Sequence, residues 1–104
     1  MVLPRFFSGL LAVGLAGCAS LPQPTAADVQ RAQKTKPDVT LESLTLDRKT
    51  YVKTCSGCHA LHLPAEFPGN RWPSLVQQMV TVQKVKLTGT QREQIEEFLI
   101  ALAP

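Results

Sequence analysis

The chain has 104 residues, 44% of them hydrophobic, a formal net charge of +3 and three cysteines. That length holds one small domain, and the clusters able to build a core begin at about residue 41, leaving about 60 residues that bury too little surface to be stable without a staple, a metal or a cofactor. Basic residues stand singly or in pairs (Arg31, Lys34, Lys36; Arg48, Lys49; Lys84, Lys86) beside one Trp and one Tyr, which argues against nucleic acid as a partner, where a concentrated basic footprint is wanted.

Residues 1–17 read as a leader. Arg5 marks a short basic region, and the apolar run over 10–16 is too short to span a bilayer but fits a secretory signal. The run closes on Leu15-Ala16-Gly17-Cys18, which resembles the lipobox of bacterial lipoproteins. In that family the Cys thiol receives diacylglycerol and becomes the new N-terminus, and two or more acyl chains give stable anchoring. The resemblance implies lipidation at Cys18. Ala19 in place of Asp is similar to the pattern sorted to the outer membrane. The alternative is an ordinary signal peptide cut near Ala19, releasing a protein into the periplasm. Residues 18–44 carry Pro22, Pro24 and Pro37 among polar residues with no apolar period. They are expected to form a flexible tether with a brief helical stretch over 26–34. The folded domain is expected over 45–104.

The first helix of that domain is expected from Asp47, a plausible N-cap, through Tyr51 and Val52 to Cys55. It runs into Thr54-Cys55-Ser56-Gly57-Cys58-His59. A thioredoxin-like pair would want a strand before the first Cys. A zinc site would need four ligands, and Cys55, Cys58, His59 and His62 are packed too closely to surround one tetrahedral ion. A plain disulfide leaves His59 unexplained. The C-x-x-C-H arrangement is a covalent haem attachment signature: each thiol adds across one vinyl group, the spacer sets the sulfur separation, and the adjacent His ligates the iron. Export fits this reading, because bacteria attach haem c outside the cytoplasmic membrane.

Tyr51-x-x-x-Cys55-Ser56-Gly57-Cys58-His59, followed by Leu63-Pro64, Trp72, Met79, Leu87-Thr88 and Ile95-Glu96-Glu97-Phe98-Leu99, resembles the cytochrome c superfamily, in its short monohaem branch. The resemblance covers about residues 46–102. It implies an all-α fold of three to four helices around one haem c, with the first and last helices crossing near the attachment site, and a role in one-electron transfer. It also implies that a downstream Pro, here Pro64, offers its carbonyl to the proximal His59 ring.

Residues 61–70, with Pro64, Pro68 and Gly69, should form a loop. A helix follows with Ser74 as its expected N-cap and Met79 within it. Met79 is the one methionine left after cleavage, and a thioether suits an electron carrier as the sixth ligand. The alternative is a core methionine in the stripe Trp72, Val76, Met79, Val80. His62 falls on the His59 side, and Lys84 and Lys86 are remoter ligand candidates. Trp72 is expected to wall the ring and to donate its indole N–H to a propionate, with Arg71 paired to the same group. The last helix opens on a capping box, Thr90-x-x-Glu93 or its rival Thr88-x-x-Gln91. Its stripe of Ile95, Phe98, Leu99 and Leu102 needs a partner.

The function expected is a membrane-tethered periplasmic electron carrier that exchanges electrons with periplasmic redox proteins. It is not an enzyme in isolation, but could serve as the electron-accepting subunit of a periplasmic oxidoreductase. A haem-based gas sensor or peroxidase-like protein with an open sixth position, and a lipoprotein binding module without haem, are the alternatives.

Overall fold

The computed structural model describes residues 20–56 and 61–104. All regular structure among these residues is helical: α1 (Ala26–Gln33), α2 (Leu41–Cys55), α3 (Trp72–Thr81) and α4 (Gly89–Leu102), with short 3-10 turns at Pro64–Glu66 and Gly69–Arg71. The domain is thus a small all-α unit of four helices. No helix among the described residues is long and apolar enough to cross a membrane.

The frame is the crossing of α2 and α4, the most extensive helix contact. The stripe on α4 is buried as its period requires: Ile95, Phe98 and Leu99 are at most 1% exposed. Against it α2 sets Leu44 and Tyr51, and the Tyr51 and Phe98 rings meet at 5.9 Å between centroids. A polar rung, Thr50 Oγ1 donating to Gln94 Oε1 at 3.0 Å, runs beside them.

The helix ends show how local chemistry chose between rivals. α4 starts at Thr88, whose Oγ1 accepts from the Gln91 amide while Gln91 Oε1 accepts from the Thr88 amide. The earlier capping box wins, and Thr90 falls in the first turn. α2 starts earlier than expected. Its N-cap is Thr40, boxed with Ser43, and Asp47 lies inside the helix, 3% exposed. The sequence disguised this helix because Asp47 occupies the core-facing rung between Leu44 and Tyr51, interrupting the apolar period. α3 likewise starts before Ser74, at Trp72, with Arg71 as N-cap and Pro73 in its first turn, where a missing N–H costs nothing. Ser74 instead donates its hydroxyl to the Arg71 carbonyl at 3.1 Å.

The stretch expected as a flexible tether corrects that expectation over residues 20–40. α1 is capped by a reciprocal Thr25–Asp28 pair, and the segment packs onto the domain. Val39 (3% exposed), Leu44 and Ala101 form a second core cluster, with Val29 and Ala32 against it. Arg31 bonds Asp28 and donates to the Ala101 carbonyl at 3.1 Å, while Arg48 reaches back to the carbonyls of Leu21 (2.8 Å) and Pro22 (3.0 Å). Arginine-to-backbone bonds hold this segment as much as apolar burial does, and such bonds leave no hydrophobic period to read. Residues 1–17, read as the signal peptide, and Cys18, read as the lipidated residue, lie outside the described residues.

Candidate functional site

On the side of α4 away from α1, the helices do not close. They leave an apolar cavity that opens to solvent, with room inside it of about 100 Å³ for water-sized spheres. Its walls come from α2 (Tyr51, Thr54, Cys55), from α3 (Trp72, Leu75, Val76, Met79) and from α4 (Ile95, Leu99), and the connecting segments add Leu61, His62, Phe67, Val85 and Leu87. Most of these side chains are apolar. A cleft lined in this way suits a largely apolar ligand with a few polar fixings.

Cys55, the last residue of α2, lies half-buried on one wall, and Met79 lies half-buried on the α3 wall. The fold therefore brings both to one cavity, although they are 24 residues apart in the chain. Cys58 and His59 lie outside the described residues. Among the described residues no cluster of three His, Cys, Asp or Glu side chains is placed to hold a metal ion.

Trp72 lines the cavity. Its indole N–H, expected to reach a propionate, here donates to the Pro64 carbonyl at 3.2 Å in a buried position, which uses the one donor of the ring. Phe67 stands edge-on to it, 5.2 Å away at 86°. Arg71 is exposed and outside the lining. Lys84 and Lys86 are also exposed and outside it. Lys84 takes a left-handed backbone (φ 61°) that turns the chain after α3.

His62 is the node of the near wall. Its Nδ1 lies 3.0 Å from Glu66 Oε1, and its carbonyl accepts the Tyr51 hydroxyl at 2.7 Å. Glu66 also accepts from the Leu63 amide. The bond to His62, followed by that amide, holds the exposed Glu66 carboxyl below its ordinary range. The Tyr51 phenol is pushed well above its ordinary value, first by burial and then by its nearness to Cys55. It therefore stays protonated, and a donor, throughout the usual pH range.

Two features escaped the sequence reading. Phe67 lies between Pro64 and Pro68, where no period points to burial; a lone aromatic in a Pro/Gly loop was the available signal. Asp47 faces Glu97 across the helix crossing, with its Oδ2 lacking a partner among the described residues. Asp47, expected as an N-cap, and Glu97, 50 residues on, gave no sign in the sequence that they meet. Comparison of the chain with protein-family models, with curated proteins and with solved structures finds no match in any of the three.

Proposed function

We propose that this chain is a one-electron carrier of the cytochrome c kind, holding a single haem c in the cavity between α2, α3 and α4. Cys55 and Cys58 would attach it, His59 would be the proximal ligand and Met79 the sixth. The observation that carries the reading is the arrival of Cys55, first residue of the C-x-x-C-H motif, and Met79 on the walls of one apolar cleft. When bound, haem supplies a ferrous–ferric couple. The chain's own contribution is to exclude water with Trp72, Leu75, Val76 and Leu99, and to keep the same ligating side chains in both oxidation states. The side-chain chemistry points to transfer rather than catalysis, with redox proteins on the periplasmic side as donor and acceptor. Lipid on Cys18 would tether the carrier to a membrane, with the outer membrane favoured by Ala19.

Expression of the full chain in a bacterium with working haem-ligation machinery tests this. A mature protein that carries covalent haem by pyridine haemochrome assay is expected. A colourless product, with both thiols open to alkylation, would overturn the reading. In the ferric holoprotein the long-wavelength absorption band that marks sulfur ligation is expected from Met79. Its absence, with rapid CO binding to the ferrous form, would instead assign an open sixth position. Cys18→Ser should move the protein from the membrane fraction to the soluble one.

A further inference from the structure

α3 is fastened to the domain unevenly along its length. At its start Trp72 is buried, donates to the Pro64 carbonyl and meets Phe67 edge-on. One turn on, Val76 is the last buried residue of the helix. Beyond it Met79 and Val80 are only half-buried, and Met79 borders the cavity instead of packed core. Polar bonds take over where packing thins. Arg92, near the start of α4, donates Nη1 to Gln77 Oε1 and, at 3.4 Å, Nη2 to the Pro73 carbonyl. Its Nε donates to Glu96 Oε2 at 2.7 Å, one turn along α4, which fixes the guanidinium in place. Among the described residues, Arg92 makes both hydrogen bonds that join α3 to α4. Gln77, two residues before Met79, is therefore the last point of α3 tied across. After it, the Val85 amide donates back to the Met79 carbonyl at 3.1 Å around the left-handed Lys84, so that turn moves with the helix end.

We propose that Arg92 is a positioning residue for Met79: by tying Gln77 and Pro73 to α4, it fixes the turn of α3 that presents the thioether to the cavity. The inference rests on the reading of this cavity as a haem site with Met79 as sixth ligand. A ligating side chain must keep one place in both oxidation states, and a helix end with no buried residue has little apolar packing to hold it there. A planar guanidinium suits the task, because its fixed fork engages two residues of α3 and one of α4 at once. Arg92 is 33% exposed and Gln77 is exposed, so the clamp sits at the surface and its removal leaves the core intact.

The test removes the clamp with Gln77→Ala and restores it with Gln77→Glu, which returns an acceptor to Arg92. Gln78→Ala is the neighbouring control, exposed and without a side-chain hydrogen bond among the described residues. Val39→Ala weakens the remote cluster around Leu44 without touching the cavity lining. In the haem-free full chain under native conditions, hydrogen peroxide converts the Met79 thioether to the sulfoxide, and peptide mass spectrometry gives the rate at that residue. Gln77→Ala should oxidise about three- to tenfold faster than wild type, the scale of one lost hydrogen bond. Gln77→Glu, Gln78→Ala and Val39→Ala should keep the wild-type rate. If Gln77→Ala matches Gln78→Ala, or if Val39→Ala rises as far, the clamp has no local hold on Met79 and the proposal is overturned. In the haem-loaded chain, the ferric long-wavelength band should weaken and ferrous CO binding should quicken in Gln77→Ala, with both recovering in Gln77→Glu. A band unchanged in Gln77→Ala would overturn the positioning role. A wild type without covalent haem, or without the band, would overturn the haem or ligand reading instead; the oxidation rates then still decide whether Arg92 fixes Met79.

Discussion

α4 is buried on two sides, and the two sides are completed differently. Toward α1 a buried cluster of the chain's own side chains packs against it, beside an open groove lined by charged residues including Arg31, Lys36, Glu93 and Glu97. Leu44 is fully buried, Val39 and Ala101 nearly so, and Arg31 and Arg48 bond backbone carbonyls to hold the N-terminal segment in place. Toward α3, Ile95 and Leu99 end at an open cleft whose lining is almost wholly apolar. The two sides therefore differ in chemistry: the solid side closes a small core and carries its charges at the rim of a groove, whereas the other side leaves apolar side chains facing an opening.

Both sides of α4 depend on its crossing with α2, so loss of packing there should have the largest effect. Phe98→Ala removes a ring with no exposed surface, at a cost of about 3–5 kcal/mol. Against a total of about 5–15 kcal/mol for a domain, the haem-free protein should be largely unfolded or close to it, as read by far-UV circular dichroism and urea titration. A mild effect would mean that the helix crossing does not organise the fold. A paired substitution sharpens the contrast. Leu44→Ala on the solid side should cost about 2–5 kcal/mol in the haem-free chain. Leu75→Ala, on the cavity wall and half-buried, should cost less than half as much, since the cleft already borders it. Equal losses in urea melts would show that the cleft is closed in solution.

How much of this was legible in the sequence also follows the two sides. The α4 stripe was readable because Ile95, Phe98 and Leu99 keep helical period with no polar interruption. The C-x-x-C-H motif and Met79 are visible as residue types in the chain, but that Cys55 and Met79 line one cleft is known only from the fold. The N-terminal docking was not readable. Its bonds run from Arg31 to Ala101 and from Arg48 to Leu21, pairings between distant residues that carry no pattern in either segment. The early start of α2 was hidden by Asp47 on a buried rung. The Pro64 carbonyl as partner of the Trp72 indole was not readable either, because the two come within reach only once the loop between them is folded.

Asp47 gives the next effect in size. Burial, then a shared hydrogen bond and like charge from Glu97, push its carboxyl up from 3.8 to about 8, while Lys36 pulls the other way. The folded chain therefore keeps a proton that the unfolded chain releases near its ordinary value. Stability from this group is complete below about pH 3.8, falls as pH rises from there to about 8, and loses no more beyond it; the slope is at most about 1.4 kcal/mol per pH unit. Asp47→Asn carries no titrating proton, and its amide can donate to Glu97. The variant should melt higher than wild type in mildly alkaline buffer, with the difference shrinking toward acid. A difference independent of pH would mean that Asp47 is charged in the folded protein.

The smallest effect belongs to the docked N-terminal segment, and it asks whether the solid side is one unit. Arg31→Ala removes the bond to the Ala101 carbonyl and the pairing with Asp28. The guanidinium is about half exposed, so the ion pair is screened by water and the loss should be about 1 kcal/mol or less. The informative readout is therefore local. Amide exchange in α1 should quicken, because the helix has eight residues and depends on its docking, while the α2–α4 crossing keeps its protection. If exchange at Leu44 and Ala101 accelerates equally, then α1 is part of the same cooperative unit as the crossing, and residues 20–40 help to hold the wall of α4 from which Ile95 and Leu99 face the cavity.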